Sequence, residues 1–169
     1  LVTTCILLLN AGHEATVNVI GNGVFALLKQ REQLELWQKK PELTETAVEE
    51  LLRFDTPLHL FTRWALEDVT YKGHHFPFGT QIALLLGAAN RDPAVFNQPN
   101  ALKLGRLHNQ HVSFGGGIHY CLGAPLARLE LQTSLPILIQ RLPNLNLIQE
   151  PSFKNSYHFH GLESLWVAW

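Results

Sequence analysis

Phe114-Gly115-Gly116-Gly117-Ile118-His119-Tyr120-Cys121-Leu122-Gly123 is the stretch on which the reading of this chain turns. Three consecutive glycines open backbone conformations closed to other residues and let the main chain come close to a bulky, flat partner. A helix is predicted directly after the cysteine. Pro125 is tolerated in its first turn, and Leu126, Leu129, Leu135 and Leu138 follow at roughly helical spacing up to Pro143, with Pro136 expected to bend it. A helix N-terminus stabilises negative charge on sulfur, so Cys121 has the setting of a thiolate metal ligand.

Such a cysteine has three candidate partners. A zinc site built from His108, His111, His119 and Cys121 lacks the paired knuckle spacing and the second thiolate that structural zinc usually has. A cysteine nucleophile would need a general base and oxyanion donors, and no motif supplies them together. A flat metal macrocycle is the most economical partner for a glycine-rich loop that presents one thiolate.

Working outward, the 169 residues are 46% hydrophobic with a net charge of -1, which suits one domain with a sizeable core and argues against a nucleic-acid partner. Cys5 lies in an apolar run and Cys121 in the glycine loop; they form no C-x-x-C pair, and a reducing, cytoplasmic setting fits best. The apolar run Leu1 to Leu9 is interrupted by Asn10, His13 and Glu14, well short of the roughly 18 residues a membrane span needs. It is read as a buried helix reaching about Leu28, with a polar notch and kink at Ala11-Gly12-His13-Glu14-Ala15-Thr16 and a weaker finish around Gly21-Asn22-Gly23. With no methionine anywhere, the chain reads as part of something longer.

Arg31 to Lys40 is predicted as a mostly exposed helix ended by Pro41, and Thr44 to Arg53 as an amphipathic helix stopped before Pro57. Glu50 and Arg53 share a face of the latter, a spacing that by itself describes ordinary surface. Leu58 to Leu86 reads as a small antiparallel sheet with His74-His75 in a turn. Arg63, among Phe61 and Trp64, either snorkels outward or meets a buried anion. Asn90-Arg91-Asp92-Pro93 opens an irregular meander running to Gln110, and the tail from Leu145 to Trp169 alternates enough for a short hairpin.

Taken together, the notch Ala11-Gly12-His13-Glu14, Glu50-Leu51-Leu52-Arg53, Asn90-Arg91-Asp92-Pro93, the cysteine loop, Leu126-Ala127-Arg128-Leu129-Glu130 and Gly161-Leu162-Glu163-Ser164-Leu165 resemble, in order, the C-terminal portion of a bacterial cytochrome P-450. The resemblance implies a mainly α fold with small antiparallel β-sheets, in which residues 1–169 are the C-terminal fragment of one haem-thiolate monooxygenase domain. It implies haem b as cofactor, with Cys121 the proximal ligand to iron and Phe114 and Gly115 packed beside it. Arg63 and His119 would pair with the haem propionates, and Arg106 would join Glu50 and Arg53 in a buried network supporting the cysteine loop. Ala11, Gly12 and Ala15 would lie over the distal face, and Glu14 would help relay protons, together with Thr16, ordered water or a substrate hydroxyl.

The implied activity is insertion of one oxygen atom from O2 into a hydrophobic small molecule, with an electron-donor protein such as a ferredoxin or flavodoxin. Leu58 to Phe61 and Tyr157 to Phe159 would line the pocket. The family commonly places a threonine directly after the acid, whereas this chain has Ala15 there and its hydroxyl at Thr16, about 100° further round a helix. That departure keeps a second expectation in view, a catalytically inactive haem-binding or structural remnant. Lys103 and His160 stand where the family often carries an acid and an arginine. The chain is further expected to expose a large apolar surface.

Overall fold

A computed structural model describes residues 1–169. Five helices come in chain order: α1 (Val2–Lys29), α2 (Arg31–Lys39), α3 (Thr44–Phe54), the single turn α4 (Leu86–Ala89) and α5 (Ala124–Arg141). Between α3 and α4 lie β1 (Leu60–Trp64), β2 (Val69–Tyr71), β3 (His74–Phe76) and β4 (Gln81–Leu85), and β5 (Asn146–Leu147) and β6 (Val167–Ala168) follow α5. The architecture is the expected mainly α one with small antiparallel sheets.

The helices form where apolar residues recur on one face. In α3, Ala47, Val48, Leu51 and Leu52 are all buried at i, i+1, i+4 and i+5 spacing. In α2 only Leu34 and Trp37 turn inward, and the Trp37 indole N–H donates to Thr44 Oγ1 at 3.2 Å. Leu131, Leu135 and Ile139 do the same for α5, which runs on through Pro136 and stops at Arg141. These faces meet the C-terminal half of α1, Leu102 and Leu104 of the meander, and Leu145 in one core.

α1 departs from expectation in two ways. The backbone stays helical through Ala11–Thr16 and through Gly21–Gly23, so neither the notch nor the glycine pair interrupts it. It is buried only from Asn18 onward, while Ile6, Leu7, Leu8 and Leu9 are each more than half exposed. A run that is apolar all round reads as buried from sequence, but burial depends on having neighbours on every side. A compact protein of 19.1 kDa has a surface of about 8,400 Å². This chain exposes 10910 Å² in all, and Leu66, Leu107, Ile118 and Leu122 are among the exposed apolar side chains. No helix is long and apolar enough to cross a membrane.

The single sheet expected over Leu58 to Leu86 is two separate two-stranded ones, β1 with β4 and β2 with β3, and the tail holds a third, β5 with β6, all antiparallel. His74 and His75 are not in a turn but in β3, paired with Tyr71 and Thr70. Lys72 and Gly73, at φ 49° and 81°, take the two left-handed positions of a two-residue hairpin turn. Of the tail, β5 and β6 close the expected hairpin, with a second bridge between Phe153 and Leu162.

Candidate haem-thiolate site

Adjacent glutamates on α3 position the cysteine loop. Glu50 is fully buried, and its Oε2 accepts from Arg53 Nε at 2.8 Å, Arg106 Nε at 2.9 Å and Asn109 Nδ2 at 3.2 Å. Its Oε1 accepts from Arg53 Nη2 and from the Lys103 backbone N–H, both at 2.9 Å. Lys103 thus contributes its main chain, and its exposed side chain leaves the network untouched. Arg53 also donates to the carbonyls of Asn90, Pro99 and Ala101. The pair that spacing alone leaves on the surface is the centre of a buried knot with the meander.

The second glutamate escaped the sequence reading. Glu49 receives Arg128 of α5 in a two-pronged pair, Nε at 2.7 Å and Nη2 at 2.9 Å, and His111 Nε2 at 3.1 Å. Burial opposes ionisation of Glu49, but the hydrogen bonds and charges of His111 and Arg128 prevail and lower its pKa to about 2. Arg128 is in turn held protonated above its usual range by Glu49, against a cost of burial. The same guanidinium lies 4.6 Å over the Phe114 ring and donates to Tyr120 Oη at 3.1 Å. α3 and α5 therefore grip both flanks of the glycine turn. The available signal was Arg128 itself, a cation among the largely apolar residues of the first turns of α5.

Asn90 fixes the approach to the loop. Fully buried, its amide accepts from the Val112 N–H and donates to Ser113 Oγ, both at 2.8 Å, and Ser113 Oγ donates to the Leu52 carbonyl at 2.7 Å. The turn that follows uses φ of +71° at Gly115 and +64° at Gly117, which side-chain-bearing residues adopt only with strain. The Cys121 N–H donates to the Phe114 carbonyl at 2.9 Å and closes the loop. The thiol is free and exposed, two residues before Gly123, the cap of α5.

The remaining residues divide into those with committed partners and those without. Arg63 of β1 has no carboxylate partner; it donates to the Thr62 carbonyl and lies 5.5 Å from the Phe61 ring, leaving most of its guanidinium available to an anion. His119 is exposed beside Cys121. Ala11, Gly12 and Glu14 are exposed and Ala15 half-buried on α1, with open space where a side chain at Gly12 would stand. Thr16 is engaged elsewhere, its hydroxyl donating to Glu130 of α5 at 3.4 Å. Leu58 and Phe159 pair in an isolated bridge, which brings together the two apolar segments read as pocket lining. His160 Nε2 lies 3.1 Å from Asp55 Oδ1.

The zinc arrangement is excluded by position. His108, His119 and Cys121 do not converge with His111, which is spent on Glu49; the one group close enough to share an ion is Asp55, His59 and His160. A haem fits the residues present: an accessible thiol on a strained glycine turn, an unpaired arginine, and small residues on the exposed stretch of α1.

A family model described as "Cytochrome P450" matches residues 38–163. The "Polyketide biosynthesis cytochrome P450 PksS" of Bacillus subtilis strain 168 is 46% identical over 96% of this chain and 41% of its own length. The "Biotin biosynthesis cytochrome P450" of the same organism is 47% identical over 98% of this chain and 42% of its own. The crystal structure of P450BioI in complex with hexadec-9Z-enoic acid ligated acyl carrier protein superposes with a TM-score of 0.94 at 48% identity, covering 96% of this chain and 43% of that one. The chain spans about two fifths of the length of these relatives. From the buried Glu50–Arg53–Arg106 knot, the cysteine loop it supports and these matches, the chain belongs to the cytochrome P450 family, an enzymatic family of haem proteins.

Proposed function

We propose that these residues form the haem-holding part of a monooxygenase that transfers one oxygen atom of O2 to a hydrophobic small molecule. The other oxygen leaves as water, with two electrons from a donor protein such as a ferredoxin or flavodoxin and two protons. The free, exposed Cys121 thiol on the glycine turn carries this reading. Haem b, when bound, supplies the activation of O2.

Cys121 Sγ is the iron ligand, with the N-terminus of α5 close by to favour its charge. Phe114, gripped by Arg128, would pack beside the haem, and Gly115 lets the backbone turn there. Arg63 and His119 take the propionates. Ala11, Gly12 and Ala15 leave room for O2 and substrate. Glu14 is the acid that draws protons inward; because the Thr16 hydroxyl is turned to Glu130, water beside Glu14 carries them the last step. Leu58, Phe61 and Phe159 present the apolar wall a hydrophobic substrate needs. The P450BioI complex makes a fatty acyl chain presented on a carrier protein a substrate class to test beside free small molecules.

The test is the carbon-monoxide difference spectrum of the reduced protein. The red-shifted Soret band of a thiolate-ligated haem is expected for the parent and is expected to vanish in Cys121→Ala. Retention of that band in Cys121→Ala would overturn the assignment.

A further inference from the structure

Away from the cysteine loop, three potential metal ligands converge on the C-terminal end of α3. Asp55 caps that helix, His59 precedes β1, and His160 comes from the tail, held in place by its N–H donating to the Pro57 carbonyl at 2.8 Å. Asp55 Oδ1 lies 3.1 Å from His160 Nε2 and 3.8 Å from His59 Nε2, and all three ligand atoms are within 4.8 Å of one another. A four-coordinate ion with ligands at about 2.0 Å separates them by about 3.3 Å. Closing the set therefore takes shifts of about 1.5 Å or less.

We propose that Asp55, His59 and His160 form a binding site for a divalent transition cation of the zinc or cobalt type. Two imidazoles and one carboxylate suit such ions, whereas calcium and magnesium prefer sets made wholly of oxygen. His160 is the preset ligand, its ring stacked between His59 at 4.1 Å and Phe153 at 4.3 Å. The two imidazoles lie within 13° of parallel, so their in-plane lone pairs run side by side and one ring must tilt to meet the ion. His59 is the ring that can do so. Its side chain is 40% exposed, and Gly87 beside it carries no side chain where a Cβ would stand 3.1 Å from its ring.

The group opens on a cleft of about 670 Å³, which provides an entry path and room for water as the fourth ligand. Without an ion, His160 at 3.1 Å and His59 at 3.8 Å face the Asp55 carboxyl, and against the cost of burial their proximity holds it below the usual range. With one, the ion ties the end of α3, the approach to β1 and the tail together. The role is structural and independent of the Cys121 assignment.

The experiment is calorimetric titration of the purified protein with Zn²⁺, followed by zinc K-edge absorption to identify the bound atoms. One equivalent bound through imidazole nitrogen and carboxylate oxygen is expected. His59→Gln and His160→Gln should each weaken binding by about tenfold or more, since even outer-shell changes cost that much at metal sites. The double variant of the exposed pair, His74→Gln with His75→Gln, should leave it unchanged. Because His160 is stacked on both sides, His59→Gln alone decides the matter if His160→Gln fails to fold. Absence of saturable binding, binding that survives His59→Gln, or binding that disappears with the His74 and His75 changes would overturn the proposal.

Discussion

Replacing Arg53 by lysine keeps the charge and removes the fork, and the structure fixes what that should cost. Arginine carries five N–H donors, and Arg53 spends all of them: Nε and Nη2 on Glu50, Nη2 again on Ala101, and Nη1 on Asn90 and Pro99. Lysine has three donors on one nitrogen, so at least two of these buried bonds are lost. Hydrogen bonds to charged groups contribute about 1.5–3 kcal/mol each, which puts Arg53→Lys at about 3–6 kcal/mol. That is a large share of a domain's total stability of about 5–15 kcal/mol. With a urea slope of about 2 kcal/mol per molar, the unfolding midpoint followed by circular dichroism should fall by about 1.5–3 M. Arg141→Lys, at the exposed end of α5, should leave it in place. A midpoint for Arg53→Lys within about 0.5 M of the parent would refute the view that the planar five-donor fork holds the meander.

Two further outcomes concern other parts of the fold. Glu49 is held at about 2 in the folded chain against an ordinary 4.5, so its contribution to stability is present above pH 4.5 and lost as pH falls from 4.5 towards 2. Acid unfolding of Glu49→Gln should therefore be flatter in that window than the parent's, and parallel curves would contradict the assignment. Gly161→Ala should cost about 1–3 kcal/mol in denaturant unfolding, because a Cβ there falls inside the envelope of the Asn18 amide. Adding Asn18→Ala should recover most of that loss in a double-mutant cycle.

Much of this was legible because it is local. The glycine turn, the helix after it, the amphipathic faces of α2 and α3 and the irregular meander are each written in residues a few positions apart. The ambiguous residues were those whose meaning comes from across the chain. Glu50 and Arg53 at i, i+3 look like any exposed pair until Arg106 and the meander carbonyls close over them. Glu49, His111 and Arg128 lie on separate elements, as do Asp55, His59 and His160, and no spacing rule links either set. Thr16, a candidate for proton relay beside Glu14 in sequence, turns its hydroxyl to Glu130 of α5, a partner that no local spacing predicts. His74 and His75 were misplaced because Lys72 and Gly73 alone fill the turn.

α1 has a mechanical consequence. Its 28 residues make a rod of about 42 Å, clamped at one end by the core from Asn18 onward and by Asn22, whose amide donates to the His160 carbonyl at 2.9 Å. Gly161, next to that carbonyl, packs against the Asn18 amide so closely that a Cβ there would collide with it. The first helix and the last segment of the chain are therefore coupled at two points about 6 Å apart along the rod, and neither can shift without carrying the other.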